Sequence, residues 1–279
     1  MAVSAAPDEP PRRPIVVKLG GDVLGGPALR VVAADLRGVV GAGWRPLVVH
    51  GGGPQATALS ERLGLVPLLV GGRRVTDEAT LDVMKMVVAG RLNVDLVAAL
   101  RAAGVAAVGL AGTSGVVRAV KRPPRAVAGG GATPVDFGWV GDVTGFDGAL
   151  LSLLLDAGYT PVIASLGLAE DGVCLNINAD VVASQLAAAR AAGALVAVTS
   201  VGGVRRDRDD PATRIARLTV PEARAAIADG TVQGGMIPKL EEAFAPLAAG
   251  VGAVHVVAPG EIGAALRRPG SVGTVLEPA

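Results

Sequence analysis

Apolar residues along this chain follow two alternating rhythms. Pro14 to Leu19 is a continuous, β-branched apolar run that stops at Gly20-Gly21, and Pro27 to Val40 then carries apolar residues at helical spacing. Arg45 to His50, centred on Leu47-Val48-Val49, repeats the theme and gives way through Gly51-Gly52-Gly53-Pro54 to a helix ending near Leu63. A long helix is predicted from Thr76 to about Ala103, with Thr76-Asp77-Glu78-Ala79 supplying a cap and early negative charge, and Val105 to Leu110 reads as the next strand. Between Gly112 and Thr144 the runs are short and broken by Pro123-Pro124 and Gly129-Gly130-Gly131. That pattern predicts β-hairpins around a mobile loop from about Lys121 to Pro134. Alternation then returns, with helices at Asp147 to Ala157 and Ala179 to Ala192 and strands at Pro161 to Ala164 and Ala194 to Thr199. Helices at Pro221 to Asp229 and Gly235 to Ala249 follow, and strands at Ala253 to Val257 and Gly273 to Leu276 flank a short helix. Such alternation predicts an α/β fold, a three-layer αβα sandwich on a mainly parallel central sheet. The first thirteen residues, rich in proline and charge, read as a disordered tail ahead of one domain over 14–279, with lobes of about 14–175 and 176–279 sharing the sheet.

Composition narrows the function. A hydrophobic fraction of 51% with only 2% aromatics means a core of Ala, Val and Leu, as buried parallel strands under helices require. A net charge of +1 provides no basic face and the few aromatics no stacking platform, so nucleic acid is not an expected partner. Cys174 is the lone cysteine, which rules out an intramolecular disulfide or a cysteine metal site and reads as a small buried side chain. No apolar run reaches membrane-spanning length, so a cytoplasmic protein without a membrane partner is expected.

Positive charge is supplied by twenty-two arginines and only four lysines. Two of those lysines, Lys18 and Lys239, stand beside glycine pairs, where exposed amides at helix starts favour anions. A compact ammonium kept in such a place points to phosphoryl chemistry. Both early glycine turns follow strands, so they are expected to face one crevice beyond the strands' carboxyl ends. Neither is the Gly-x-x-x-x-Gly-Lys-Ser/Thr loop, and no Gly-x-Gly-x-x-Gly follows the first strand.

Six separated segments carry a resemblance. They are Lys18-Leu19-Gly20-Gly21, His50-Gly51-Gly52-Gly53-Pro54-Gln55, Gly72-Arg73-Arg74-Val75-Thr76-Asp77, Val135-Asp136-Phe137-Gly138-Trp139-Val140-Gly141, Asn176-Ile177-Asn178-Ala179-Asp180 and Gly234-Gly235-Met236-Ile237-Pro238-Lys239. In this order, from about Pro14 to Leu276, the chain resembles the amino acid kinase family and, within it, the N-acetylglutamate kinases. The third and fourth segments set that group apart from aspartate, uridylate and carbamate kinases.

The resemblance implies transfer of the γ-phosphoryl group of ATP to the side-chain carboxylate of N-acetyl-L-glutamate, the second step of arginine biosynthesis. It makes the first lobe acetylglutamate-binding and the second ATP-binding, with Mg2+ held mainly by the nucleotide phosphates. It implies that Lys18 contacts the transferred group, that Lys239 stabilises the nucleotide side and that Asp180 organises both lysines. It places Arg74 on the substrate α-carboxylate, Asn176 and the Gly52 and Gly53 amides on substrate or phosphoryl oxygens, and Gly20, Gly21, Ser200, Gly202, Gly203, Val204, Gln233 and Gly235 along the nucleotide. The chemistry agrees: an ionised carboxylate needs no general base, which leaves the protein alignment and charge neutralisation. Ordinary structural roles stand beside several of these, a helix N-cap for Asp180, an Asx turn for Asn176 and a structural place for His50.

Two features depart from the family pattern. Thr199-Ser200-Val201-Gly202-Gly203 lacks the acidic residue common there, which bears on nucleotide contacts, and Arg205, Arg206 and Arg208 follow as phosphate contacts or a solvated patch. The short, proline-rich start does not supply the long helix of arginine-inhibited hexameric members, so a homodimer paired through the Thr76 to Ala103 helix is expected. Two other readings compete: a kinase for carrier-bound aminoadipate or glutamate, and a non-catalytic amino-acid sensor.

Overall fold

The computed structural model describes residues 13–126, 133–207, 210–234 and 236–278. The tail before Arg13, the centre of the loop expected between Lys121 and Pro134, Arg208 and Gly235 lie outside the described residues. In chain order the first part runs β1 (Ile15–Leu19), α1 (Gly26–Gly41), β2 (Pro46–His50), α2 (Gly53–Arg62), β3 (Leu69–Val70) and β4 (Arg73–Arg74). Next come α3 (Glu78–Met84), a π-helical stretch (Lys85–Leu92), α4 (Asn93–Ala102), β5 (Ala107–Ala111), β6 (Val117–Lys121) and β7 (Gly141–Phe146). Then follow α5 (Gly148–Asp156), β8 (Thr160–Ala164), β9 (Leu166–Leu168), β10 (Cys174–Asn176), α6 (Ala179–Ala189) and β11 (Ala194–Val198). The chain closes with β12 (Arg217–Thr219), α7 (Val220–Ala228), α8 (Met236–Ala248), β13 (Val254–Val257), α9 (Ile262–Arg267) and β14 (Thr274–Glu277).

The main sheet has the order β12-β14-β13-β11-β1-β2-β8-β5. From β13 to β5 all neighbours are parallel, and β14, antiparallel to β13, turns the edge together with β12. One continuous sheet therefore runs through both expected lobes.

Pleating assigns the core. Ile15, Val17 and Leu19 of β1 and Val48 of β2 pack with Leu36, Leu96, Leu100 and Ile262 on one face. Val16, Leu47 and Val49 pack on the other face with Leu151, Leu186 and Leu240. The same alternation turns Lys18 toward the face covered by α6, and His50 toward the face covered by α4.

Several local expectations change. The helix expected from Thr76 begins at Glu78: Asp77 is its cap, accepting from the Thr80 amide at 2.8 Å, while Thr76 is buried and bonded elsewhere. Its middle is π-helical, which backbone propensity alone does not signal. The cap of α6 is Asn178, which accepts from the Asp180 amide at 2.8 Å and frees the Asp180 carboxylate for another partner. Cys174 is only partly buried. The short strands β3, β4, β9, β10 and β12 lie in segments too brief for periodicity to register.

A four-stranded sheet, β10-β9-β6-β7, stands over the carboxyl end of the main one. Its edge is tied down by Phe137-Gly138-Trp139, which lies between Thr76 and Asn176. The Thr76 amide donates to the Phe137 carbonyl at 2.9 Å, the Trp139 amide to Thr76 at 2.7 Å and the Asn176 amide to Trp139 at 2.9 Å. Gly138 is required here, because its φ is +68° and any side chain would run into the Thr76 carbonyl.

Candidate active site

Adjacent parallel strands end together, so β11, β1, β2 and β8 deliver Ser200, Gly20, Gly51 and Ser165 to one rim of the sheet. Beside the small sheet this rim lines an open cavity of about 530 Å³. Gly20, Gly21, Gly51, Gly52 and Gly53 all line it, so both early glycine turns open on the same space. The turns touch: the Gln55 side chain donates to the Gly21 carbonyl at 2.6 Å, and a side chain on Gly21 would meet Pro54 at 2.8 Å. Free amides at the start of α2 thus approach the end of β1 without intervening bulk, as an anion site requires.

Lys18 is buried and reaches across this space to Asp180, Nζ to Oδ1 at 2.7 Å. Burying an ammonium is costly unless a partner neutralises it, and Asp180, in the first turn of α6, supplies that partner. Arg74, at the end of β4, lines the opposite wall. Its Nη2 donates to the Gly53 carbonyl at 3.1 Å and to Thr57 at 2.7 Å, while Nη1 is buried with no partner among the described residues. Burial pulls its pKa below the usual guanidinium value, yet an arginine remains charged, so one face of the fork awaits an acceptor. Asn176 lines the same cavity, is buried and donates from Nδ2 to Thr76 Oγ1 at 3.0 Å. Arg73 is exposed at the cavity mouth.

Four residues that the sequence reading missed complete the walls. Arg122 is buried and places Nε and Nη2 on one oxygen of Asp142, at 2.9 and 2.6 Å. Arg125 lines the same space with its Nε buried and unpartnered among the described residues. Glu242 also lines it, and its pKa is raised by burial first and by the negative Asp180 and Glu241 next, against the pull of Arg122 and Arg125. A signal existed for Glu242, which stands one helical turn after Lys239 and so shares its face of α8. None existed for Arg122 and Asp142, which only the β6–β7 pairing brings together.

Of the expected nucleotide-side residues, Gly20 and Gly21 line this cavity and the other described ones lie elsewhere. Lys239, in the first turn of α8, does not line the cavity; its charge acts on Asp22. Ser200 is exposed, Gly202 (φ +67°) turns against Ala258, and Gly203 (φ +143°) approaches Thr274. Val204 is fully buried, with its amide donating to Thr274 Oγ1 at 2.8 Å and its carbonyl accepting from Ile215 at 2.9 Å, so it holds this turn in place from within. Gln233 is exposed and donates to the Gly230 carbonyl at 2.8 Å.

The missing acid at position 200 has a counterpart. Asp22, just after the first glycine pair, accepts from the Ser200 amide at 2.8 Å and ties the two turns together. Burial alone would raise the Asp22 pKa, but hydrogen bonds from Ser200 and the charge of Lys239 outweigh it and hold the carboxyl below the ordinary range.

His50 is completely buried on the other face, at Nε2 2.9 Å from Asn93 Nδ2 and at Nδ1 3.0 Å from the Gly51 carbonyl, and burial lowers its pKa to about 4. It is neutral at physiological pH and does not line the cavity. The two remaining lysines serve the surface. Lys85 pairs with Asp82 at 3.0 Å, and Lys121 stacks over Trp139 at 5.1 Å.

A parallel αβα core, glycine turns at the strand ends and a buried lysine–aspartate pair between them define a phosphotransferase site, and the chain belongs to the amino acid kinase family, whose pattern matches residues 13–258. The particular relatives are consistent with one another. The acetylglutamate kinase of Sorangium cellulosum (strain So ce56) is 57% identical over 269 residues, 95% of each chain. That of Anaeromyxobacter dehalogenans (strain 2CP-1 / ATCC BAA-258) is 56% identical, covering 94% of this chain and 98% of its own. Among solved structures, N-acetylglutamate synthase from Neisseria gonorrhoeae, complexed with coenzyme A and N-acetyl-glutamate, superposes with a TM-score of 0.80 at 26% identity, over 96% of this chain and 60% of that one. Giardia carbamate kinase shares the fold at a TM-score of 0.70 and 17% identity, covering 96% of this chain and 99% of its own.

Proposed function

We propose that this protein transfers the γ-phosphoryl group of ATP to the side-chain carboxylate of N-acetyl-L-glutamate, forming N-acetyl-L-glutamyl 5-phosphate in arginine biosynthesis. The observation that carries the residue roles is that two charged groups line one cleft. A buried ammonium, Lys18, is held by Asp180, and a half-buried guanidinium, Arg74, has a buried nitrogen unpartnered among the described residues. Arg74 and Asn176 hold the acceptor's α-carboxylate end, and Lys18 meets the phosphoryl oxygens as charge develops on them. The attacking carboxylate arrives ionised, so no residue need remove a proton. Amides of Gly20, Gly21, Gly52 and Gly53 stabilise the oxygens in transit. Lys239, Ser200, Gly202, Gly203, Gln233 and Gly235 take the nucleotide, with Asp22 and Val204 fixing their turn. Mg2+ would come with the nucleotide and be held mainly by its phosphates.

The chain acts as a homodimer in the cytoplasm in this reading. Met86 and Val94 are exposed on the π-helical stretch and α4, and Leu63, Val66, Leu68 and Leu69 are exposed nearby in sequence, an apolar surface of the kind a second copy covers. No described helix is long and apolar enough to cross a membrane. An ADP-release assay with N-acetylglutamate, glutamate, aspartate and aminoadipate tests the activity: turnover only with the first is expected, and turnover with none would leave a sensor. Light scattering on the eluting protein tests the dimer; a monomer or hexamer would overturn it.

A further inference from the structure

His50 is a buried titratable group at the rim that the transfer chemistry leaves unused, and its contacts are directional. The Asn93 amide group sits between two acceptors, His50 Nε2 at 2.9 Å and the Val162 carbonyl at 3.0 Å. The carbonyl accepts only from an NH2, so the amide nitrogen must face both. An NH2 has no lone pair to offer, so Nε2 must be the unprotonated ring nitrogen and the proton must sit on Nδ1. The Nδ1–H then donates to the Gly51 carbonyl at 3.0 Å. That carbonyl belongs to the peptide joining Gly51 to Gly52, which is trans like every other described peptide bond. In a planar trans peptide the C=O and N–H point in opposite directions. A carbonyl held toward buried His50 therefore sends the Gly52 amide the other way, and Gly51 and Gly52 both line the cavity. Among the described residues the Gly52 amide has no protein acceptor. From the far side a side chain on Gly52 would displace the tip of Leu92, and Val88 lies 3.3 Å from the same point, so the π-helical stretch packs against the loop.

We propose that His50, oriented by Asn93, is a positioning residue for the transfer: by holding the Gly51 carbonyl it aims the Gly52 amide at the phosphoryl or acceptor oxygens. The inference rests on Gly52 acting as such a donor. The energetic logic is preorganisation, since a donor already aimed needs no reorganisation when charge develops.

Two substitutions divide the imidazole into its halves. His50→Asn keeps an N–H donor near the Nδ1 position, whereas His50→Gln carries its amide out toward the Nε2 position and leaves the Gly51 carbonyl free. His50→Gln is expected to lower kcat on the order of 10- to 100-fold with KM for N-acetylglutamate nearly unchanged, the pattern of a contact made only in the transition state, and His50→Asn to recover most of it. Equal activity in the two variants, or a loss confined to KM, would overturn the proposal. Long-range nitrogen–proton NMR of the full-length wild type reads the tautomer directly; a proton on Nε2 would overturn it as well. With ADP, aluminium fluoride and N-acetylglutamate bound, the Gly52 amide proton should move downfield. No movement in the wild type fails the donor role of Gly52 and the inference with it, whereas an equal movement in His50→Gln fails the inference alone.

Discussion

The proposed acceptor side and the proposed nucleotide side of this molecule are built on different principles. Around the cavity, charges are buried or half-buried and held: Lys18 by Asp180, Arg122 by Asp142, and half-buried Arg74 by Gly53 and Thr57 with one nitrogen to spare. Around Ser200 to Gly203 there is mostly backbone, two glycines at positive φ, an exposed serine and the single carboxylate of Asp22 joining the turn to the rest. A small anionic acceptor offers little surface, so its recognition depends on a few preplaced charges. A nucleotide is large and brings its own metal and charge, so a glycine turn of the right shape suffices.

The contrast can be broken most severely at Lys18. Lys18→Arg keeps the charge but not the compact ammonium, and kcat should fall about 10²- to 10³-fold, comparable to loss of one preorganised donor, with the circular dichroism spectrum unchanged. A kcat within a few-fold of the wild type would mean that charge alone is enough.

Acid should reveal what the two sides share. His50 lies under the acceptor turn and His255 in β13 under the nucleotide side, and burial lowers both to about 4, with the nearby Glu277 pulling His255 up and Arg217 down. Between about pH 6.5 and 4 the unfolded chain binds protons at these sites and the folded chain does not, so the stability these two histidines confer falls as pH falls, and their share of the loss is complete below about 4. Each histidine contributes roughly 3 kcal/mol to that loss at its full extent. Urea unfolding across this window measures it, and His255→Gln should remove part of the slope while leaving the rest to His50.

Smaller changes separate the two sides in kinetics. Arg74→Lys exchanges a fork for a point charge and should raise KM for N-acetylglutamate by about 10- to 100-fold while leaving KM for ATP alone. Asp22→Asn weakens a charge-assisted bond to the Ser200 amide and should raise KM for ATP by only about tenfold or less. If Arg74→Lys moved the ATP constant, or Asp22→Asn the acetylglutamate constant, the division into two differently built halves would fail.

Much of the fold is written in the chain locally. The strands at Ile15–Leu19, Pro46–His50 and Ala194–Val198 are apolar throughout because helices cover both faces, and the glycines that end the first two runs mark the site rim. Lys18, Arg74, Asn176 and Asp180 stood out because chemistry-bearing residues sat inside recognisable short segments. The shorter strands and the π-helical stretch were not legible, because two or three residues carry no periodicity and a widened helical turn is set by what it packs against.

What the sequence by itself determined is the alternating α/β order, the two glycine turns and the identity of the charged groups beside them, all properties of neighbours along the chain. What only the tertiary structure decided is which charges meet. Asp180 faces Lys18 because Asn178 caps α6 and pleating turns Lys18 to that side. Arg122 meets Asp142 through strand pairing, and Asp22 reaches Ser200 across 178 positions. The tautomer of His50 is set by Asn93, a residue 43 positions away. Pairings at such separations depend on register and packing between distant segments, which no local pattern of residues records.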